Sequence, residues 1–281
     1  MRTPTEVASY MAASAISPEV QIHQTGFRMR LVESWGIPEG ARVLEIGCGQ
    51  GDMTAALANA VGATGQVVAV DLADPSYGAP TTLGQSAEQL LASPLGPQIE
   101  FQFEFDVLDT ANVFLNDSFD FVVLAHCTWY FASIDQLAKT LGRVWPWAKR
   151  LCLSEWDLQP RSVDQLGHLL AVLIQGQVEC FKPKSQSNVR TPYSVETLKS
   201  LLVQTGWETV TESHLDTTDL EDGKWEIGMC LRSSVREADE LKVPDKFCQW
   251  LVSQTDILAR LEKDQGAKSL SSYSVVASRM K

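Results

Sequence analysis

The sequence has no unbroken apolar run near the roughly 20 residues that span a bilayer, and its first residues, Met-Arg-Thr-Pro-Thr-Glu-Val, lack the apolar core of a signal peptide. No membrane-embedded role and a cytoplasmic location are expected. Basic residues are scarce, 23 Lys and Arg against 35 Asp and Glu, for a net charge of −12. A surface of that sign repels polyanions, which excludes nucleic acid and anionic membrane as partners and favours a small molecule. The six cysteines, at 48, 127, 152, 180, 230 and 248, include no Cys-x-x-Cys pair. That scatter argues against a zinc site or a disulfide frame and for reduced thiols. What remains is ordinary: 281 residues, 44% hydrophobic and 21% charged, enough for one large α/β domain with an appendage or for two small domains.

The informative stretch is 42–54, where the apolar run Val43, Leu44, Ile46 stops at Gly47, glycines recur at 49 and 51, and a helical pattern follows from Met53 to Val61. Strand, tight turn and helix are predicted, with glycines where a side chain would hold the backbone away from a docked ligand. A dinucleotide site has Gly-x-Gly-x-x-Gly, so that pyrophosphate sits on the helix N-terminus. Here the spacing is Gly47-x-Gly49-x-Gly51, Glu45 precedes it, and Asp52 stands where the anion would dock. Two carboxylates repel a phosphate and suit a ligand carrying an ammonium or a sulfonium. Cys48, inside the turn, reads as a small filler.

The motif Glu45-x-Gly47-x-Gly49-x-Gly51 resembles motif I of the class I S-adenosylmethionine-dependent methyltransferases, and the rest of the chain extends the likeness. Residues 66–70 form an apolar strand ending in Asp71-Leu72, about 25 residues beyond the first, where a single acid is placed to accept both ribose hydroxyls. Residues 99–105 alternate Phe101, Phe103, Phe105 against Glu100, Gln102, Glu104, the pattern of a half-buried edge strand. Asp106-Val107 then resembles motif III, which implies an acid on the adenine amino group and an apolar neighbour on the ring. The loop 73–84, rich in Pro, Gly and Thr, is an insertion beside the implied adenosine.

The resemblance implies an α/β fold: a three-layer Rossmann-like sandwich on a seven-stranded, mostly parallel sheet of order 3-2-1-4-5-7-6. Strand seven is antiparallel, and a helical cap is inserted. Segments 120–125 and 151–154 read as buried fourth and fifth strands, 207–212 as the sixth and 272–279 as the last. Residues 133–136 read as a capping box opening a helix to about 148. The implied organisation is an N-terminal lid and helix over 1–35, a cofactor-binding domain over 36–281 and a substrate cap at 160–192. Residues 1–16 read as a lid or a disordered tail.

Implied cofactor contacts are Glu45, Gly47, Cys48, Gly49, Gly51, Asp52, Asp71, Leu72, Asp106, Val107, Ala125 and His126, with Gln24, Thr25 or Arg28 of the preceding helix toward the methionyl end. At the carboxyl ends of strands four and five stand His126, Trp129, Tyr130, Glu155 and Trp156, where α/β sheets place their reactive crevice. His126 is a candidate general base, with a strand cap or a contact to the cofactor carboxylate as alternatives; Glu155 and Tyr130 are further catalytic candidates. Trp129, Tyr130, Trp156 and His168 are candidate acceptor contacts; Gln175, Glu179, Cys180, Lys184 and Arg190 belong to the same cap region. No metal is expected, since no Asp-Asp or Asp-Asn pair follows strand four. The expected activity is methyl transfer from S-adenosylmethionine, leaving S-adenosylhomocysteine (SAH), to an O, N or S atom of a small molecule, by a monomer or homodimer; the alternative is a regulatory protein that binds the cofactor or a non-methylating enzyme that uses it as a fixed charge.

Overall fold

The computed structural model describes residues 2–280. Its sheet runs β3-β2-β1-β4-β5-β7-β6, built from β1 (Arg42–Ile46), β2 (Gln66–Val70), β3 (Ile99–Gln102), β4 (Phe119–Ala125), β5 (Ala148–Trp156), β6 (Trp207–Leu215) and β7 (Ser272–Arg279). β7 lies antiparallel between β5 and β6, while β1 to β5 pair in parallel. The expected sheet order and the single reversed strand are therefore found. β1 and β4 sit centrally and are covered on both faces, which accounts for their unbroken apolar runs.

One face of the sheet is covered by α1 (Pro4–Ala8), α2 (Pro18–Trp35), α3 (Asp52–Val61) and α4 (Leu83–Leu91). There Val7, Phe27, Leu31, Leu57 and Leu90 close over Val43, Val67 and Val123. The opposite face carries α5 (Ile134–Val144) and α7 (Val195–Gln204), whose Leu137, Leu141, Leu198 and Leu202 pack on Leu44, Val122 and Leu153. Neighbouring strand residues thus feed opposite cores, the period of two written into the β1 sequence. A third cluster joins α6 (Leu166–Glu179), α8 (Asp222–Glu240) and α9 (Asp245–Gln265), with Ala171, Ile174, Val178, Ile227, Leu251 and Leu258 at its centre. α6 belongs with two helices that lie far beyond 192 in sequence.

Several expectations are corrected. The third strand stops at Gln102 instead of 105, because Glu104 takes a left-handed φ of 54°. That turn of the backbone sends Phe105 to the core cluster opposite the one that holds Phe101 and Phe103. Residues 2–16 are not a disordered tail: α1 and a 3-10 turn at Ala12–Ala15 bury Val7 completely and Met11 to 2%. α5 ends at Val144 instead of about 148, where Ala148 has already entered β5. Its capping box is half made: Ser133 Oγ accepts from the Gln136 amide at 3.1 Å, but Gln136 Oε1 reaches past it to the Ala132 amide. β6 runs on to Leu215 through a bulge between Thr209 and Thr211.

If the N-terminal segment is part of the core, Met11→Ala leaves a cavity and costs about 2–5 kcal/mol in denaturant unfolding. Val113→Ala, at a side chain 60% exposed, changes stability by less than about 0.5 kcal/mol. Equal, small effects at both sites would remove the N-terminal segment from the core.

Candidate functional site

The carboxyl ends of β1, β2, β4 and β5 meet at one edge of the sheet, and the turn after β1 is its centre. Gly47 and Cys48 donate their amides to Val70 O, at 2.9 and 3.2 Å, which draws the turn onto β2. A Cβ on Gly47 would stand 2.9 Å from Cys127 Cβ, so only glycine fits. Gly49 differs: it has a left-handed φ of 52°, and a Cβ there would meet no atom within 4 Å. Its backbone faces open space rather than a packed neighbour. The Gly49 amide donates to Asp71 Oδ2 at 2.8 Å, and Ala73 donates to Asp71 Oδ1 at 2.9 Å. Each carboxylate oxygen keeps a lone pair for a further donor.

Acids crowd this edge. Glu45 is 2% exposed and accepts from Thr54 Oγ1 at 2.6 Å; burial, reinforced by Asp52 and Asp71, pushes its carboxyl up to about 8 despite the Thr54 bond. Asp52 heads α3 and accepts from Gln21 Nε2 at 2.7 Å. On α8, Asp222 accepts from Gln24 Nε2 at 2.8 Å and Glu226 from Gln175 Nε2 at 2.8 Å, and burial raises both carboxyls. Arg28 donates to Gln24, on both its backbone and side-chain oxygens, and its charge is felt by Glu45, Asp222 and His126. Burial also pushes the Cys48 thiol far up, so it is an unreactive filler of the turn.

β4 ends in His126, a non-glycine residue at φ 50°. Its Nε2 lies 3.0 Å from Ser272 Oγ, and its Nδ1 lies 3.6 Å from Glu155 Oε1 without a hydrogen-bond partner. Burial lowers its pKa to about 3, with the charge of Arg28 adding to the effect. Glu155 is equally occupied: Oε2 accepts from Thr128 N, Thr128 Oγ1 and Trp129 N at 3.0, 2.7 and 3.3 Å, and Oε1 accepts from Trp156 N at 3.1 Å. Burial nevertheless raises it to about 7. Trp156 lies edge-on between the rings of His126 and His168, with centroids at 4.4 and 5.3 Å.

The remaining candidates divide. Tyr130 is 45% exposed, and burial followed by the charges of Glu155, Glu226 and Asp222 pushes its phenol up. Trp129 is in the core, where its carbonyl accepts from the Arg190 and Thr191 amides. His168 is fully buried, with Nδ1 accepting from the Leu270 amide at 2.9 Å, and so anchors α6 to the segment before β7. Leu72 is 62% exposed and Val107 buried, while Asp106 Oδ1 accepts from the Leu108 amide. Gln24 and Thr25 are buried on the face of α2 that meets this edge. Glu179 is tied to Lys182 at 2.5 Å, away from the turn. Among the described residues no group of three or more His, Cys, Asp or Glu is placed to hold a metal, and no helix is long and apolar enough to cross a membrane.

Gln21, Asp222, Glu226 and Ser272 escaped the sequence reading. The signal for the first was a helix carrying polar residues at 21, 24, 25 and 28, one face by helical spacing. For α8 it was Asp222 and Glu226, one turn apart.

Residues 23–212 match the family model described as "Methyltransferase domain". A ubiquinone/menaquinone biosynthesis C-methyltransferase, UbiE, of Pseudomonas putida is 30% identical over 190 residues, covering 64% of this chain and 70% of the relative. Among solved structures, a cyclopropane-fatty-acyl-phospholipid synthase-like protein from Lactobacillus casei is 33% identical, with a TM-score of 0.85 and 97% of each chain covered. A magnesium protoporphyrin IX methyltransferase from Synechocystis, with bound SAH, shares the fold at 12% identity and a TM-score of 0.50, over 94% of this chain and 87% of its own.

The raised acids and lowered histidines predict a stability maximum in pH. His126 and His168, both near 3 against an ordinary 6.5, take up protons on unfolding, so stability rises as pH climbs to about 6.5. Glu45 and Glu155, near 8 and 7 against an ordinary 4.5, release protons on unfolding. Their contribution is full below about 4.5 and is lost as pH rises to about 8. Between about pH 4.5 and 6.5 the two histidine and two carboxyl contributions offset one another, so thermal stability is expected to climb to about pH 4.5, hold level to about 6.5 and decline toward 8. Glu45→Gln flattens the decline; a variant with the parent's slope contradicts the assignment.

Proposed function

The chain belongs to the class I S-adenosylmethionine-dependent methyltransferases, and from that premise we propose that it transfers a methyl group to a small molecule bound between the glycine turn and the α6–α8–α9 cluster. The observation that carries this reading is the free space over Gly49, beside an Asp71 carboxylate already held to the Gly49 amide. The residues present fit the cofactor: Asp71 for the ribose hydroxyls, Leu72, Asp106 and Val107 around the adenine, and Gly47 to Gly51 along the methionyl arm. Gln24, Thr25 and Arg28 flank that arm from α2. When bound, the sulfonium supplies an already electrophilic methyl group.

What the chain must add is binding, alignment and exclusion of water. The acid-rich edge suits a cationic ligand, since Asp52 and Asp71 stand close enough to raise Glu45's cost of ionisation. The acceptor lies toward Tyr130 and Trp156, under the helix α8 that carries Asp222 and Glu226. Its reactive atom is O, N, S or, in view of the relative named as a C-methyltransferase, carbon. His126 meets the requirements of a general base poorly at rest, because both its ring nitrogens face protein groups and burial, by disfavouring the protonated ring, makes it a weak proton acceptor. Glu155 is engaged by four donors and holds the turn Thr128–Tyr130 in place.

The test is incubation with methyl-labelled cofactor and a broad panel of small acceptors. Labelled product is expected, and tight binding without turnover on any acceptor would favour a protein that only holds the cofactor. By calorimetry, Asp71→Ala and Gly49→Ala are each expected to weaken cofactor binding more than tenfold while the fold, checked by circular dichroism, persists. Unchanged affinity in both would dismiss the site. A cation bound near Glu45 draws its proton off, so the sulfonium form binds more tightly at pH 8.5 than at 6.5, and by more than SAH does. A pH-independent difference between the two ligands would show that Glu45 does not sense the charge.

A further inference from the structure

Where β4, β5 and β7 meet, a side-chain network surrounds His126 that cofactor binding leaves unused. Ser272 Oγ stands 3.0 Å from His126 Nε2 and 2.6 Å from Ser154 Oγ, which also lies 3.1 Å from the Tyr273 carbonyl. On the other side of the ring, Nδ1 is buried and unpartnered, 3.6 Å from Glu155 Oε1. The hydrogens can be assigned by elimination. Four donors converge on Glu155, so it acts as an acceptor throughout, the arrangement an ionised carboxylate takes. A carboxylate oxygen at 3.6 Å favours an N–H over a lone pair on Nδ1.

A neutral imidazole then carries its lone pair on Nε2, and Ser272 must donate to it. Ser272 has a single hydroxyl hydrogen, so it accepts at its other contact, from Ser154, whose own hydrogen goes to the nearer of its two acceptors. The order Ser154 to Ser272 to His126 uses each hydrogen once; the reverse order, from Nε2–H through Ser272 and Ser154 to the Tyr273 carbonyl, does so too but sets the Nδ1 lone pair against the Glu155 carboxylate, and that charge decides between them. The ring's setting also bears on the backbone: a left-handed φ at a non-glycine residue persists only where its surroundings over-determine it, and here Ser272 holds Nε2 while Glu155 faces Nδ1 at 3.6 Å.

We propose that Glu155, Ser272 and Ser154 are positioning residues that lock His126 in its Nδ1–H tautomer and fix its ring at the carboxyl end of β4. The inference rests on hydrogen-bond geometry and goes beyond the methyl-transfer reading: it makes His126 a fixed neutral element of the site. The experiment is ¹⁵N-detected imidazole spectroscopy of the full chain at pH 8.5, with the His126 signals assigned by their loss in His126→Asn. A pyrrole-type Nδ1 and a pyridine-type Nε2 are expected. Ser272→Ala should move the Nε2 resonance toward the value of an unbonded ring nitrogen, and Ser272→Thr should return it. The opposite tautomer in the parent chain, or an Nε2 resonance indifferent to Ser272→Ala, overturns the proposal. Ser154→Ala provides a second variant should Ser272→Ala fail to fold: loss of its hydrogen should weaken the Ser272 bond and shift Nε2 in the same direction, and no shift overturns it. The spectra need no turnover, so this outcome and that of the acceptor screen are read separately.

Discussion

The bond from the Gly49 amide to the Asp71 carboxylate, 2.8 Å long, ties the end of β1 to the end of β2 and organises the whole edge of the sheet. It demands a left-handed residue at 49 and an acid at 71, and it forbids a side chain that would fill the space between them. The turn is held at a second point by Val70 O, which takes the amides of both Gly47 and Cys48. α3 can then begin at Asp52 with its first turn facing the same space. Most of the site's other parts are placed relative to this clasp.

Electrostatics does the next share of the work. Burying Glu45, Glu155, Asp222 and Glu226 around one edge costs desolvation, partly offset by hydrogen bonds from Thr54, Thr128, Gln24 and Gln175. A fold that meets this cost at one place holds carboxyls shifted toward their neutral form, and a bound cation recovers part of the cost by favouring their ionisation. The same logic disfavours a phosphate-bearing dinucleotide, which the acids flanking the glycine turn already argue against. His126 and His168, both kept neutral by burial, add no positive charge to compete with such a cation at physiological pH.

Legibility in the sequence followed the range of the interaction. The glycine turn and Asp71 at the end of β2 are local patterns, fixed by steric rules and by position over a few residues, and both were readable, whereas the antiparallel setting of the last strand came with the family resemblance. The Phe101–Phe103–Phe105 alternation was readable too, yet it misled, because one left-handed residue at 104 outweighs a period of two. The N-terminal segment shows why short helices elude pattern reading: five residues of α1 carry little periodicity, and their order comes from packing on α2 and α3.

The sequence by itself determined the cofactor class, since a Glu-x-Gly-x-Gly-x-Gly turn and an acid a strand later satisfy backbone and charge requirements over short chain distances, and the order of the sheet followed from the family resemblance that this motif carries. Only the tertiary structure decided what His126, Trp129, Glu155 and His168 do. Their partners come from Ser272, Thr128, the Arg190–Thr191 amides and Leu270, in some cases more than a hundred residues away in the chain. Whether a polar side chain is a free reagent or a satisfied brace depends on which donors the fold brings to it, and no local pattern carries that information.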